Sequence, residues 1–164
     1  MLVRNVGVVD DAFVTVADGE ALPDGAIIVS LKRFLAEEET LKRRNSPLGV
    51  RLQTSESPEV LGERVHGLAV VVFAIPAFRD GRAFSWARLL RTRLHYKGEI
   101  RVCGHYLRDQ LAFYARVGVD AFDLPAILSP EDLTAALAEI SNVYQPSVDG
   151  RPTIGDLRRS RATP

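Results

Sequence analysis

Residues 68–76 read Leu68-Ala69-Val70-Val71-Val72-Phe73-Ala74-Ile75-Pro76, and residues 78–88 read Phe78-Arg79-Asp80-Gly81-Arg82-Ala83-Phe84-Ser85-Trp86-Ala87-Arg88. The first run is apolar at every position and rich in β-branched residues, the pattern of a strand covered on both faces. Pro76 ends it. Ala83, Ala87, Leu90 and Leu94 then recur at helical spacing and form a stripe able to pack on a sheet. A strand that passes through a short loop into an amphipathic helix is one β-to-α step, and its junction is the usual place for a site in an α/β protein. This junction gathers Asp80, Ser85 and the arginines Arg79, Arg82 and Arg88 around Gly81.

Working outward, the same step repeats. Ala26 to Val29 is short and β-branched, and Ser30 stands at an N-cap position before Leu31, Phe34, Leu35 and Leu41. Leu48 to Leu52 precedes Ser57-Pro58-Glu59, a capping hydroxyl with proline at the first helical position. Glu99 to Cys103 leads into the apolar face Leu107, Leu111, Tyr114 and Ala115, with Gly118 as its C-terminal cap. Asp120 to Leu124 is followed by Ser129-Pro130-Glu131-Asp132 and by Leu133, Ala136, Leu137 and Ile140.

The expected fold class is therefore α/β: a single domain over residues 1–146 with about five mostly parallel strands alternating with helices. A β-hairpin precedes them, Val3 to Val9 and Ala12 to Val16 around Asp10-Asp11. A complete eight-stranded barrel needs roughly 250 residues. An open doubly wound sheet is the favoured arrangement, with a barrel-like half as the alternative. Residues 147–164 lose their periodicity and read as a flexible tail, made basic by Arg151, Arg158, Arg159 and Arg161.

Composition bounds the function. Formal net charge is zero, which argues against a dedicated nucleic-acid binder. No apolar stretch approaches the length that crosses a bilayer, so no membrane is expected and a cytoplasmic location is. The charge is nonetheless polarised: residues 1–40 hold eight acids against three bases, and residues 79–108 hold eight bases against two acids. Such a distribution suits either steering of an anion or a solvated helix face. The single Cys103 excludes an internal disulfide, and no metal site and no cofactor are expected. No Gly-x-Gly-x-x-Gly or phosphate-loop lysine motif follows any strand.

Three loops hold the candidates; Asp120 and Asp123 flank the third and read either as an acid–base pair or as residues that fix the turns into and out of the last strand. In the first, Arg82, Ser85 and Arg88 are the expected anion-binding residues, with Asp80 and Gly81 shaping the loop; a purely architectural role for the loop is the other reading. In the second, Gly104 shapes the turn, and His105 and Asp109, four apart, are the candidates for an acid or base. Cys103 reads either as a nucleophile or as a strand-end residue packed inside. Trp86, Phe84, Phe113 and Tyr114 line a pocket, dock a partner or fill the core.

The run Ile75-Pro76-Ala77-Phe78-Arg79-Asp80-Gly81-Arg82-Ala83-Phe84-Ser85-Trp86-Ala87-Arg88-Leu89-Leu90-Arg91, together with Gly98-Glu99-Ile100-Arg101 and Leu107-Arg108-Asp109-Gln110, resembles a bacterial family of unknown function. That family, mainly proteobacterial, is often encoded beside assimilatory sulfite reductase and is described as a probable oxidoreductase in sulfite reduction. The likeness takes in Asn45-Ser46-Pro47-Leu48-Gly49-Val50 and Ile140-Ser141-Asn142-Val143-Tyr144-Gln145-Pro146. It departs at Arg116-Val117-Gly118, where members tend to carry Arg-Cys-Gly, so a thiol there is not essential in this chain. The resemblance implies an accessory protein of sulfur assimilation that binds a small oxyanion or partners sulfite reductase or another enzyme of sulfur assimilation. A small enzyme acting on an anionic substrate is the alternative, and a structural dimerisation module, a homo-oligomer, is the third reading.

Overall fold

Apolar and polar residues alternate along the strands, and that alternation divides one sheet into a face packed under helices and a face turned away from them. The computed structural model describes residues 1–4 and 6–162, of which 161 and 162 by backbone alone. The strands are β1 (Leu2–Arg4), β2 (Gly7–Val8), β3 (Val14–Thr15), β4 (Ile27–Ser30), β5 (Leu48–Gln53), β6 (Val70–Ile75), β7 (Glu99–Gly104) and β8 (Ala121–Asp123). The helices are α1 (Leu31–Ala36), α2 (Glu38–Lys42), α3 (Arg82–Thr92), α4 (Arg108–Arg116), α5 (Pro130–Glu139) and α6 (Ile154–Ala162), with a 3-10 segment, Pro58–Gly67, between β5 and β6.

The strands lie in the order β2-β1-β8-β7-β6-β5-β4-β3. From β3 to β8 neighbours in sequence are neighbours in space, and every pair is parallel. The favoured doubly wound arrangement is thus corrected: crossovers of one hand that always step the same way leave their helices on one face only. A barrel-like half is what forms. Its sheet has eight strands rather than about five, because the amino-terminal segments join both edges. The hairpin also moves. It closes within residues 2–8, with Val3 opposite Val8, while Val14–Thr15 travels to the far edge beside β4.

That separation forces the sheet to curl. Seven inter-strand spacings part β2 from β3, about 34 Å on a flat sheet. The chain between Val8 and Val14 has six peptide steps, a reach of at most about 22 Å. Residues 9–13 therefore run as a strap across the mouth of a trough, and the trough side is concave.

On the helix side Val29, Val50, Leu52, Val71, Phe73, Ile75, Ile100, Val102 and Phe122 share one core with Phe34, Leu61, Val65, Ala87, Leu90, Leu111, Tyr114 and Leu133. β6 lies in the middle of the sheet and is buried at all six positions, as its unbroken apolar run requires. On the concave side a smaller apolar floor of Ile28, Val70 and Val72 is covered by Phe13 of the strap and flanked by Cys103. Ser57 caps the segment that follows β5, but Gly62 turns to φ +50° inside it and the expected helix is a kinked 3-10 stretch.

Within the segment read as a flexible tail, the described residues Ile154–Ala162 form α6. Thr153 and Asp156 cap α6 reciprocally, with Asp156 Oδ2 accepting from the Thr153 amide at 2.9 Å and Thr153 Oγ1 from the Asp156 amide at 3.2 Å. Arg116 meets Asp149 at 3.2 Å. The side chain of Arg161 lies outside the described residues.

Candidate functional site

The carboxyl ends of β5, β6 and β7 deliver both candidate loops to one edge. Gln110 Nε2 donates to the Phe78 carbonyl at 2.8 Å, so the loop after β6 and the start of α4 lie side by side. Gly104 (φ +99°) is required there: a Cβ would stand 2.4 Å from the Ile75 carbonyl oxygen. Gly81 adopts φ −80°, which any residue reaches.

The arginines of the first loop are largely engaged or dispersed. Asp80 binds Arg82 twice, to Nε at 2.9 Å and Nη2 at 2.7 Å, and also accepts the Arg82 amide at the start of α3. Its remaining contact is the hydroxyl of the buried Thr54 at the end of β5. These bonds, from Arg82 first and then Thr54, hold the Asp80 carboxyl far below its ordinary value of 3.8. The helix start is thus already filled by a carboxylate. Ser85 and Arg88 line a separate recess with Trp86, Leu89, Thr92 and Arg93, one that Arg82 does not enter. Trp86 donates to the Thr54 carbonyl at 3.0 Å and packs on the core. Phe84 stacks on the buried Tyr114 with centroids 3.9 Å apart, whereas Phe113 is exposed.

His105 and Asp109 are exposed and form no ion pair or side-chain hydrogen bond with each other among the described residues. His66 and His95 precede β6 and β7, so they sit at the opposite end of the strands from His105.

The polar groups that converge do so inside the trough. Arg51, Val72 and Arg101 occupy one cross-strand row, with Ser30 beyond Arg51 and Ala121 beyond Arg101. The next row up is Gln53, Ala74 and Cys103, and Asp123 follows on β8. A recess of about 220 Å³ is lined by Asp11, Thr15, Arg51, Arg101, Cys103 and Asp123 over Ile28 and Val72. A wider groove of about 680 Å³ continues outward past Asp18, Glu20, Ser30, Lys32, Gln53 and Glu56, and Thr15 and Arg51 belong to both.

The two arginines of this row differ in state. Arg101 has a side chain only 4% exposed; Nη1 donates to Asp11 Oδ2 at 2.6 Å and Nε to Glu99 Oε1 at 3.0 Å. Its Nη2 stands 2.9 Å from Glu99 Oε1 but out of line, without a hydrogen-bond acceptor. Burial works against its charge, and the carboxylates of Asp11 and Glu99 more than offset that, leaving its affinity for the proton raised. Arg51 is exposed to the recess and carries no hydrogen bond or ion pair among the described residues. Cys103 is pushed up by burial and by Asp123, against the pull of Arg51 and Arg101, so it is held as a thiol.

The rim is rigidly built. Arg33, 7% exposed, donates to the Ala17 and Glu20 carbonyls at 2.6 Å each and to Glu37 at 3.1 Å, which fastens the loop after β3 onto α1. Ser30 caps α1 and donates to Asp18 at 2.6 Å. Arg51, Arg101 and Asp11 were not among the site residues expected from sequence, and Asp123 was read chiefly as fixing a turn. The signal for the two arginines was a charge at the same phase of two strands, Val50-Arg51-Leu52 and Ile100-Arg101-Val102, where a central parallel strand is ordinarily apolar on both sides.

The chain belongs to a family of bacterial proteins of unknown function, DUF934, whose model matches residues 49–154. The matched span contains Arg51, Arg101, Cys103 and Asp123 and leaves out Asp11 and Thr15. No curated protein and no solved structure matches the chain. Among the described residues no helix is long and apolar enough to cross a membrane.

Proposed function

We propose that this protein binds a small oxyanion within its concave trough, as an accessory of sulfate or sulfite assimilation. The observation that carries the reading is Arg51: a guanidinium without a protein partner among the described residues, shared by two continuous recesses that run along the concave face from mid-strand toward the carboxyl end of a parallel sheet. Ligands of open parallel sheets sit at that end, and a guanidinium offers a carboxylate, sulfite, sulfate or phosphate paired, charge-assisted hydrogen bonds. The resemblance to a family encoded beside assimilatory sulfite reductase favours a sulfur oxyanion within that class. The wider groove outside Arg51 leaves room for the oxyanion to arrive from, or pass to, a reductase partner.

Arg82, already clamped by Asp80, is a weaker binder in this reading. Calorimetric titration with sulfite, sulfate and phosphate decides between the two arginines. Arg51→Met is expected to weaken binding about tenfold or more, the worth of one charge-assisted contact. Because Arg51 is exposed and unpaired among the described residues, the same variant is expected to change stability by less than about 0.5 kcal/mol. Arg82→Ala is expected to retain binding. Equal heats from wild type and Arg51→Met would remove the trough from the function.

A further inference from the structure

We propose that Arg51 and Arg101 form a two-guanidinium clamp for a divalent oxyanion, and that the Asp11 carboxylate fills the Arg101 half of the clamp until the anion displaces it. This rests on the trough being an anion site, and it adds to that reading a second binding residue and a gate.

The clamp follows from register. Arg51 stands opposite Val72, and Val72 opposite Arg101, so the two arginines project from one row two strand spacings apart, about 10 Å at the backbone. Two long side chains of the same phase can both reach over the short valine between them. Both line the same recess.

The gate follows from what holds Arg101. A buried guanidinium requires anionic partners, and among the described residues the one sheet carboxylate paired with Arg101 is Glu99, which is shared with Arg4. The second partner, Asp11, comes from the strap and has a side chain 39% exposed. Nη2 of Arg101 remains without an acceptor in this arrangement. The strap is pinned on one side by the Val9 amide, which donates to the Leu2 carbonyl at 3.0 Å, and on the other by Phe13 packed on the apolar floor. Between those pins the Asp11 carboxylate also accepts the Phe13 amide at 3.1 Å; turning outward exchanges that exposed bond for water while the Phe13 ring stays seated. Its carboxylate is chemically a planar oxyanion, so an incoming sulfate replaces one anion by another and Arg101 never stays buried without a counter-charge. The exchange is driven by the second contact to Arg51, which Asp11 does not make.

The test is sulfate titration of the full chain at fixed ionic strength, with amide hydrogen exchange over residues 9–13. Asp11→Asn is expected to bind sulfate about tenfold more tightly than wild type, because the competitor is gone. Asp10→Asn, the same charge change on an exposed neighbour outside the recess, is expected to stay within about twofold. Asp11→Glu keeps the carboxylate and is expected to bind as wild type, which separates loss of the competitor from loosening of the strap. In wild type, sulfate is expected to speed exchange in the strap. An unchanged or weaker affinity in Asp11→Asn, or strap amides indifferent to sulfate, overturns the gate. If wild type binds through Arg51 while Asp11→Asn gains nothing, the gate falls and the anion site at Arg51 stands; if neither protein binds sulfate, both readings fall.

Discussion

The two faces of this sheet are made by the same strands and obey different rules. On the helix side alternate residues from β4 to β8 are aliphatic or aromatic and close into one core. On the trough side the apolar surface is Val70 and Val72 of β6 with Ile28 of β4, and the neighbours of β6 present Arg51 and Gln53 on one flank and Glu99, Arg101 and Cys103 on the other. Burial of one face by five helices and the 3-10 segment supplies the cohesion, so the other face is free to hold groups that a core rejects. Stability and chemistry are divided between odd and even residues of each strand.

Breaking the covered face has the largest expected effect. Phe73→Ala removes a ring with 0% exposure from the middle of β6, and should cost about 3–5 kcal/mol in denaturant unfolding. A loss below about 1 kcal/mol would mean that the helix side does not carry the fold.

A smaller effect comes from the trough floor. At Gly49 a Cβ would stand 2.4 Å from Val70 Cγ1 and 2.9 Å from Ile28 Cγ1, so Gly49→Ala is expected to destabilise by about 1–3 kcal/mol through overpacking. Gly81→Ala is the matched control, since its Cβ would meet nothing nearer than 3.8 Å; neutrality or a gain of up to about 1 kcal/mol is expected there. Equal melting shifts in the two variants would refute a tightly packed floor.

The smallest effect belongs to the rim where the faces meet. The Asp80 carboxyl is depressed in the folded protein, so its stabilising contribution is complete above its ordinary value of 3.8 and is lost as pH falls below that, through the depressed folded value. Asp80→Asn should therefore flatten the acid limb of a stability-versus-pH curve below about pH 4 while lowering stability at neutral pH. Parallel acid limbs in variant and wild type would remove the Thr54–Asp80–Arg82 clamp from the account.

How much of this was legible in the sequence follows the same division. The apolar run of β6, the caps Ser30 and Ser129 and the β-to-α alternation are local signals, and each appears where periodicity placed it. The winding was not legible, because crossover direction depends on which strand each helix returns beside, and a doubly wound and a singly wound chain share one alternation pattern. The destination of Val14–Thr15 was hidden for the same reason: a two-residue strand carries no partner preference. At the site, the glycine at 104 was readable from loop chemistry, whereas Arg82 looked available until Asp80 was seen beside it. Arg51 and Arg101 were visible as oddities of phase in two strands and would have been found by asking which side each strand residue faces. Asp11 was invisible, since only the curl brings an amino-terminal loop over β7.

The five residues between β2 and β3 finally act as a caliper. Two sheet edges that never share a ladder are nevertheless tied by covalent chain, so the girth of the trough is set by the number of residues in that tie and not by hydrogen bonds. Each residue added or removed there resets the opening by up to about 3.5 Å without touching a single strand pair. Width in this architecture is therefore tunable by length alone, and chains that share the sheet are at liberty to admit guests of different size.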